Sequence, residues 1–170
     1  AWLCLEFSIC RFADRHGHID TGQLQAALQQ ALDSADQLFD HLYWRDRAQR
    51  SDAISNRRIG FDLRGIGDLV LLRGADPADI RCLSYLDRLI ASVHECLWSR
   101  SHGLANERGL LPALAERDPS RNPGLADQRH SWQSRWQAAL SSVAVRHRNL
   151  LIMSPYSVMP QGGAGDRRDF

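Results

Sequence analysis

A junction rich in arginine and glycine, Asn56-Arg57-Arg58-Ile59-Gly60 followed by Gly65-Ile66-Gly67-Asp68, separates a polar stretch of this chain from an apolar one. Glycine at such a junction permits a positive φ or the close approach of another backbone. The chain is therefore expected to change direction and element there. About ninety residues later, Arg146-His147-Arg148-Asn149 stands directly before the apolar run Leu150-Leu151-Ile152-Met153. The two signals share a form: cationic side chains delivered to the start of a buried segment.

Around these junctions the hydrophobic periodicity predicts the elements. Trp2 to Phe12 alternates Leu3, Leu5, Phe7 and Ile9 at period two, as a buried strand does. Asp14 to His18 reads as a turn, and Asp20 or Thr21 can cap a helix from Gly22 to Tyr43. Its inward residues are expected to be Leu24, Leu28, Leu32, Ala35, Leu38, Phe39 and Leu42. Arg45 to Ser55 is polar, helical or irregular. Arg73-Gly74 stops the apolar run Leu69 to Leu72, with glycine in the left-handed position. Asp76-Pro77 opens a long helix to Asn106, with Ile80, Leu83, Leu86, Ile90, Val93 and Leu97 inward, and Gly109 and Pro112 end it. Residues 113–130 read as an exposed loop, Ser131 to Val145 as a short helix carrying Trp132, Trp136 and Leu140, Asn149 to Met153 as a buried strand, and 160–170 as a flexible glycine-rich tail. Strands alternating with helices make the fold class α/β and helix-rich.

Composition narrows the function classes. The 170 residues suffice for one domain with a core, or for part of a larger one. No stretch is apolar for the roughly 18 residues a membrane span needs, and no secretory signal is visible. With 21 basic and 20 acidic residues the net charge is +1, so no global field calls for nucleic acid or a membrane. Every basic residue is arginine. Cys4, Cys10, Cys82 and Cys96 form no CxxC pair, which fits a reduced, cytoplasmic setting. Ala1 and Phe170 are read as cuts through a longer protein, and the chain as a single partial domain.

Taken in order, the motifs resemble the catalytic barrel of the ribonucleotide reductase large chain, especially the adenosylcobalamin-dependent kind. Members carry Arg-Arg-Ile-Gly-Leu-Gly-Val-x-Gly-Leu-Ala-Asp before a hydrophobic helix; here the register gives Arg57-Arg58-Ile59-Gly60-Phe61-Asp62-Leu63-Arg64-Gly65-Ile66-Gly67-Asp68. The family's Glu-Arg-Gly-Ala-x-Pro is matched by Glu107-Arg108-Gly109-Leu110-Leu111-Pro112, and its Leu-Arg-Asn before a strand by His147-Arg148-Asn149. Upstream, Arg11-Phe12, Ile19-Asp20 and the spaced pair Asp36 and Asp40 fall where members have Arg-Phe, Ile-Asp and a Leu-Asp-x-x-x-Asp helix. The resemblance spans about residues 7 to 155.

It implies a segment of a ten-stranded α/β barrel, with Ile59 to Leu63 and Asn149 to Met153 in one parallel sheet. It further implies radical reduction of ribonucleotides to deoxyribonucleotides for DNA synthesis, adenosylcobalamin as cofactor, a dithiol reductant such as thioredoxin, and a possible homodimer. No membrane and no direct nucleic-acid partner are implied. In the family an Asn-x-Cys-x-Glu loop carries the thiyl radical, alternate residues facing the same sugar with the carboxylate as general base. Cys4 and Glu6 supply Cys-x-Glu, but Trp2 stands in place of the asparagine. The gapless register from Arg11 instead puts Trp2 at the distal redox cysteine and the radical loop before residue 1, leaving Cys4 as a buried strand cysteine. The substrate-phosphate turn falls on Ser154, Pro155, Tyr156 and Ser157, about two residues early, with Tyr156 bulkier than the family's residue.

Plainer readings stand beside these. Arg57 and Arg58 grip a phosphate, or they pair with acids such as Asp52 or Asp62. Asp62, set where a family glycine stands, faces solvent or pairs with an arginine. His16 and His18 lack a third ligand nearby and read as a solvated turn. Cys82 and Cys96 lie about 21 Å apart along one helix, too far to be a redox pair. Outside the reductase reading stand a degenerate, non-catalytic homologue of the barrel and an arginine-rich helical binding module; interleaved acids argue against the latter.

Overall fold

The computed structural model of the chain describes residues 2–115 and 147–154. In chain order these form β1 (Trp2–Ser8), a 3-10 turn (Ile9–Phe12), α1 (Thr21–His41), α2 (Arg47–Asn56), β2 (Arg58–Arg64), α3 (Ile66–Leu72), α4 (Ile80–Arg108), α5 (Pro112–Ala115) and β3 (Leu150–Ser154). The strands make a three-stranded parallel sheet in the order β1-β2-β3. Parallel neighbours need long crossovers, and the helices between the strands supply them. The fold is thus mixed α/β and helix-rich, and the strands expected around Ile59 and Leu151 are neighbours in one sheet. No ten-stranded barrel is formed among the described residues.

Contacts group the described residues into two compact units, one of 2–3, 32–59, 98–115 and 147–151, the other of 4–31, 60–97 and 152–154. In the first, Leu32, Ala35, Phe39, Ala53, Ile59, Leu104, Ala105 and Leu111 are buried. In the second, the core holds Ile9, Leu24, Leu28, Phe61, Leu63, Ile66, Leu69, Leu89 and Val93. The middle strand, β2, is buried at Ile59, Gly60, Phe61 and Leu63. That near-continuous apolar run is what two covered faces require.

Local chemistry explains where elements begin and end. Asp20 Oδ1 accepts from the Gln23 amide, so Asp20 rather than Thr21 caps α1. Asp46 does the same for α2 through the Gln49 amide. Gly65, at φ +83, takes β2 into α3, and a Cβ there would meet Cys10 Sγ at 3.0 Å. At the end of α3, Gly74 at φ +59 donates to the Leu71 carbonyl while Ala75 donates to that of Val70. This is the paired closure of a Schellman motif. Gly109, at φ +93, ends α4 as expected.

Several expectations need correction. β1 is not a buried strand through Phe12: its residues alternate exposed and half-buried, and extended structure stops at Ser8. As the first strand in the order it lies at the sheet's edge, so only its Leu3, Leu5 and Phe7 face gains cover. Cys4 is exposed rather than buried. On α1, Leu38 and Leu42 are exposed; the core stripe is Leu24, Leu28, Leu32, Ala35 and Phe39. α4 begins at Ile80 rather than Pro77, because Asp79 Oδ1 accepts from the Arg81 amide one turn later than Asp76-Pro77 suggested. Its inward stripe is Cys82, Leu89, Val93, Leu97 and Leu104, leaving Ile80 and Leu83 exposed. Residues 113–115 of the expected loop continue the turn of α5. The rest of that loop, the Trp132–Trp136 helix and the tail lie outside the described residues.

Candidate functional site

The chemistry of this chain concentrates on Asp36, a carboxylate in the middle of an apolar helical face. Asp36 follows Leu32 by four residues and precedes Phe39 by three, so helical geometry turns it inward with them. It has no exposed surface. An isolated carboxylate so placed would lose far more in hydration than folding supplies. Its partners answer that cost. Arg57 Nε donates to Asp36 Oδ1 at 2.8 Å, and Arg57 Nη2 donates to the Asp36 carbonyl. Arg108 Nη1 donates to Oδ2 at 3.0 Å, Arg148 Nε to Oδ1 at 3.3 Å and Asn149 Nδ2 to Oδ1 at 2.8 Å. Arg57 spans further to Asp40 with bonds of 3.1 and 3.2 Å.

Each element contributes for a local reason. Arg57 is the residue after α2 and takes a left-handed backbone at φ 38, its amide closing on the Ala53 carbonyl. That conformation disfavours a side chain by about 1–2 kcal/mol; the guanidinium, 1% exposed and lying over the Phe39 ring at 5.2 Å, offsets it through five donors in a fixed fork. Arg108 is the last residue of α4, where a cation also meets the negative end of the helix dipole. Arg148 Nη1 donates to the carbonyls of Arg108 and Gly109, satisfying acceptors that the end of α4 leaves free. The backbone there is fixed too: Arg148 donates to the Ser101 carbonyl, Asn149 to Ser101 Oγ and Leu150 to the Arg57 carbonyl.

Burial pushes the Asp36 carboxyl up, but the Asn149 amide and the Arg57 and Arg148 guanidiniums outweigh it and hold the group below the ordinary carboxylate range. Asp36 is therefore ionised. Asn149, 3% exposed, spends its amide nitrogen on Asp36 and leaves Oδ1 without a donor among the described residues. Beside the cluster, the His147 ring meets Trp98 edge-on at 5.3 Å and lies 6.2 Å from His102. Burial, with His102 adding repulsion, lowers the His147 pKa and keeps the ring neutral.

The plainer reading of the arginine pair is the one the geometry carries. Arg57 is bound to Asp36 and Asp40, and Arg58 Nη1 holds Asp52 at 2.9 Å. Asp62 pairs with an arginine, taking Arg64 Nε at 2.7 Å. Arg57 is closed to a phosphate, its three nitrogens all engaged, and Arg58 gives Nη1 to Asp52. The Asp36 carboxylate itself, fully enclosed, is a structural ion and not a general base. Asp36 and Asp40 were visible in the sequence only as a spacing. The signal for burial was Asp36's place at helical period from Leu32 and Phe39.

Cys4 and Glu6 do share one face of β1, as alternate residues must. Both are exposed, and Glu6 binds Arg64 Nη2 at 2.9 Å. The other thiols are withdrawn: burial raises Cys10, which donates to the Gly65 carbonyl, and raises Cys96, which contacts Gln25 and Gln29. Such thiols react slowly. Asp14 Oδ1 accepts from the amides of His16 and His18, so this segment is a tied turn. No group of metal-ligating side chains occurs among the described residues. Ser154 ends β3, and Pro155, Tyr156 and Ser157 lie outside the described residues.

No protein-family model and no curated protein matches this chain. Among the described residues, no helix is long and apolar enough to cross a membrane.

Proposed function

We propose that the chain is a segment of a ribonucleotide reductase catalytic chain, one arc of its ten-stranded α/β barrel, acting in the radical reduction of ribonucleotides. The observation that carries this reading is convergence. The Asp-x-x-x-Asp, Arg-Arg-Ile-Gly, Glu-Arg-Gly and Arg-Asn motifs lie far apart along the sequence. Their residues Asp36, Asp40, Arg57, Arg108, Arg148 and Asn149 meet in one cluster. Unrelated chance matches have no reason to meet in space. A second support is the parallel sheet with strands in chain order, the simplest way for successive staves of such a barrel to follow one another.

In this reading the cluster holds the barrel wall, and the chemistry belongs to the face of β1 bearing Cys4 and Glu6 or to a loop preceding it, with substrate phosphate on the turn beginning at Ser154. The depressions beside Arg11 and Phe12, about 480 and 470 Å3, are small for a corrinoid. No residue here is therefore assigned to adenosylcobalamin. The test is nucleotide reduction by the longer polypeptide containing this chain, with and without adenosylcobalamin and with a dithiol reductant. Reduction in either condition upholds the reading.

One observation favours a second reading: Trp2, in the gapless register, occupies the position of a redox cysteine. A tryptophan cannot cycle electrons with a partner thiol, which points to a non-catalytic homologue of the barrel. Absence of reduction in both conditions, in a folded protein, selects it. The arginine-rich binding module fits less well, because Arg57, Arg58, Arg64, Arg100 and Arg108 are each held by carboxylates.

A further inference from the structure

We infer that the carboxyl ends of β1 and β2 form a binding subsite for an oxyanion, phosphate or carboxylate, carried on a flat apolar group. The inference does not rest on the reductase reading, which places its phosphate after β3. In parallel α/β sheets the strands' carboxyl ends lie along one edge, and ligands bind outside it. Ser8 ends β1 and Arg64 ends β2. Between them lies an open depression of about 470 Å3 lined by Glu6, Phe7, Ser8, Arg11, Phe12 and Arg64. That volume falls within the ~300–1,000 Å3 of small-molecule sites.

Three features specify the ligand. First, Arg11 is exposed and makes no hydrogen bond or ion pair among the described residues, whereas Arg64, the other arginine of the depression, is held by carboxylates. A free planar fork suits a bidentate oxyanion. Second, Ser8 precedes the 3-10 turn without capping it, so its hydroxyl is available as a further donor. Third, the Phe7 and Phe12 rings stack in parallel, 2° apart with centroids at 5.5 Å, giving the site a flat, half-buried apolar wall. Two guanidiniums and one carboxylate, Glu6, line the depression; Arg64 is held by Glu6 and by Asp62, which leaves Arg11 to meet the ligand. A neighbouring depression shares Arg11 and Phe12 but carries Asp14 and Asp20, whose charges repel an anion. The first depression is thus the one an oxyanion enters.

The probes are inorganic phosphate and phenyl phosphate, titrated into the 170-residue chain and followed by calorimetry and by amide chemical shifts. Phenyl phosphate should bind roughly fivefold more tightly than phosphate, from ring stacking. Arg11→Gln should weaken both by roughly tenfold through loss of a charged hydrogen bond. Because Arg11 makes no hydrogen bond or ion pair among the described residues, its variant should keep the wild-type circular dichroism. Ser8→Ala gives a smaller loss, and Glu6→Gln, by removing the negative charge that lines the depression, tightens binding. Arg88→Gln, an exposed arginine on α4, serves as the control and should change nothing. Equal losses in the Arg11 and Arg88 variants would reduce the effect to diffuse charge and overturn the proposal. So would the absence of saturable shifts at Ser8 to Phe12, or phenyl phosphate binding no better than phosphate.

Discussion

Asp36 has no exposed surface and takes donors from four side chains, whereas Glu6 is 70% exposed and holds a single guanidinium. Both are carboxylates bonded to arginine at under 3 Å. The difference lies in what surrounds them. Around Glu6, water competes for each charge and the side chains keep their freedom, so the pair adds about 0–1 kcal/mol. Around Asp36, water is excluded and the ion exists only because its partners are complete. Removing one leaves the rest stranded. Similar pairs at similar distances therefore mark, in one place, a wall that cannot be altered and, in the other, a surface free to exchange partners.

The comparison is broken most severely by Asp36→Asn, which keeps shape but removes the charge that three arginines were gathered to meet. The expected loss is about 3–5 kcal/mol, read as a drop of roughly 6–20 °C in the thermal midpoint. Unchanged stability would mean the cluster is not buried as described. The same variant should remove a pH dependence. The Asp36 pKa is lower in the folded than in the unfolded state. Its contribution is thus present above the unfolded carboxylate value near ~4 and lost as pH falls through the folded one. Denaturant titrations between pH 6 and pH 3, about that value, should show the loss in the parent and a flatter profile in the variant.

Arg57→Lys comes next. It keeps the charge but cannot join Asp36 Oδ1, the Asp36 carbonyl and Asp40 at once, and a loss of about 2 kcal/mol is expected by chemical denaturation. A smaller effect is expected from Gly65→Ala, about 1–2 kcal/mol, because alanine meets both the positive φ and Cys10 Sγ. Combining it with Cys10→Ala should recover only the part due to contact. At the far end, Glu6→Gln should change stability within the ~0–1 kcal/mol of exposed pairs, with any effect vanishing in salt. A loss there comparable to Asp36→Asn would erase the distinction between the two clusters.

Much of this was legible in the chain. Helices α1 and α4, with long apolar stripes, announced themselves, as did the stops at Gly74 after α3 and Gly109 after α4; the resemblance placed the strands around Ile59 and Leu151 in one sheet. What escaped depends on neighbours that periodicity does not name. Leu38 and Leu42 carry the period of α1 yet stay exposed. β1 alternates like a buried strand, but its edge position leaves Trp2, Cys4, Glu6 and Ser8 in solvent. The cluster escaped for a different reason. Its parts were each recognised, Asp36 and Asp40 by spacing and Arg57, Arg108 and Arg148 by motif, yet a sequence records no charge pairing across a hundred residues. Glycine was expected to turn the α2–β2 junction; Arg57 makes that turn instead, and Gly65 turns the next one.

The bond from Asn149 to Asp36 spans 113 residues. A ribosome releases the helix bearing that aspartate long before it makes the last groups that neutralise it. For most of synthesis the nascent segment must carry an acid on its greasiest side, which discourages early closure onto wrong partners and postpones the right one. Chains halted before Arg148 should accumulate as sticky, protease-sensitive intermediates, and the synthesis of Arg148 and Asn149 becomes the event that seals the cluster.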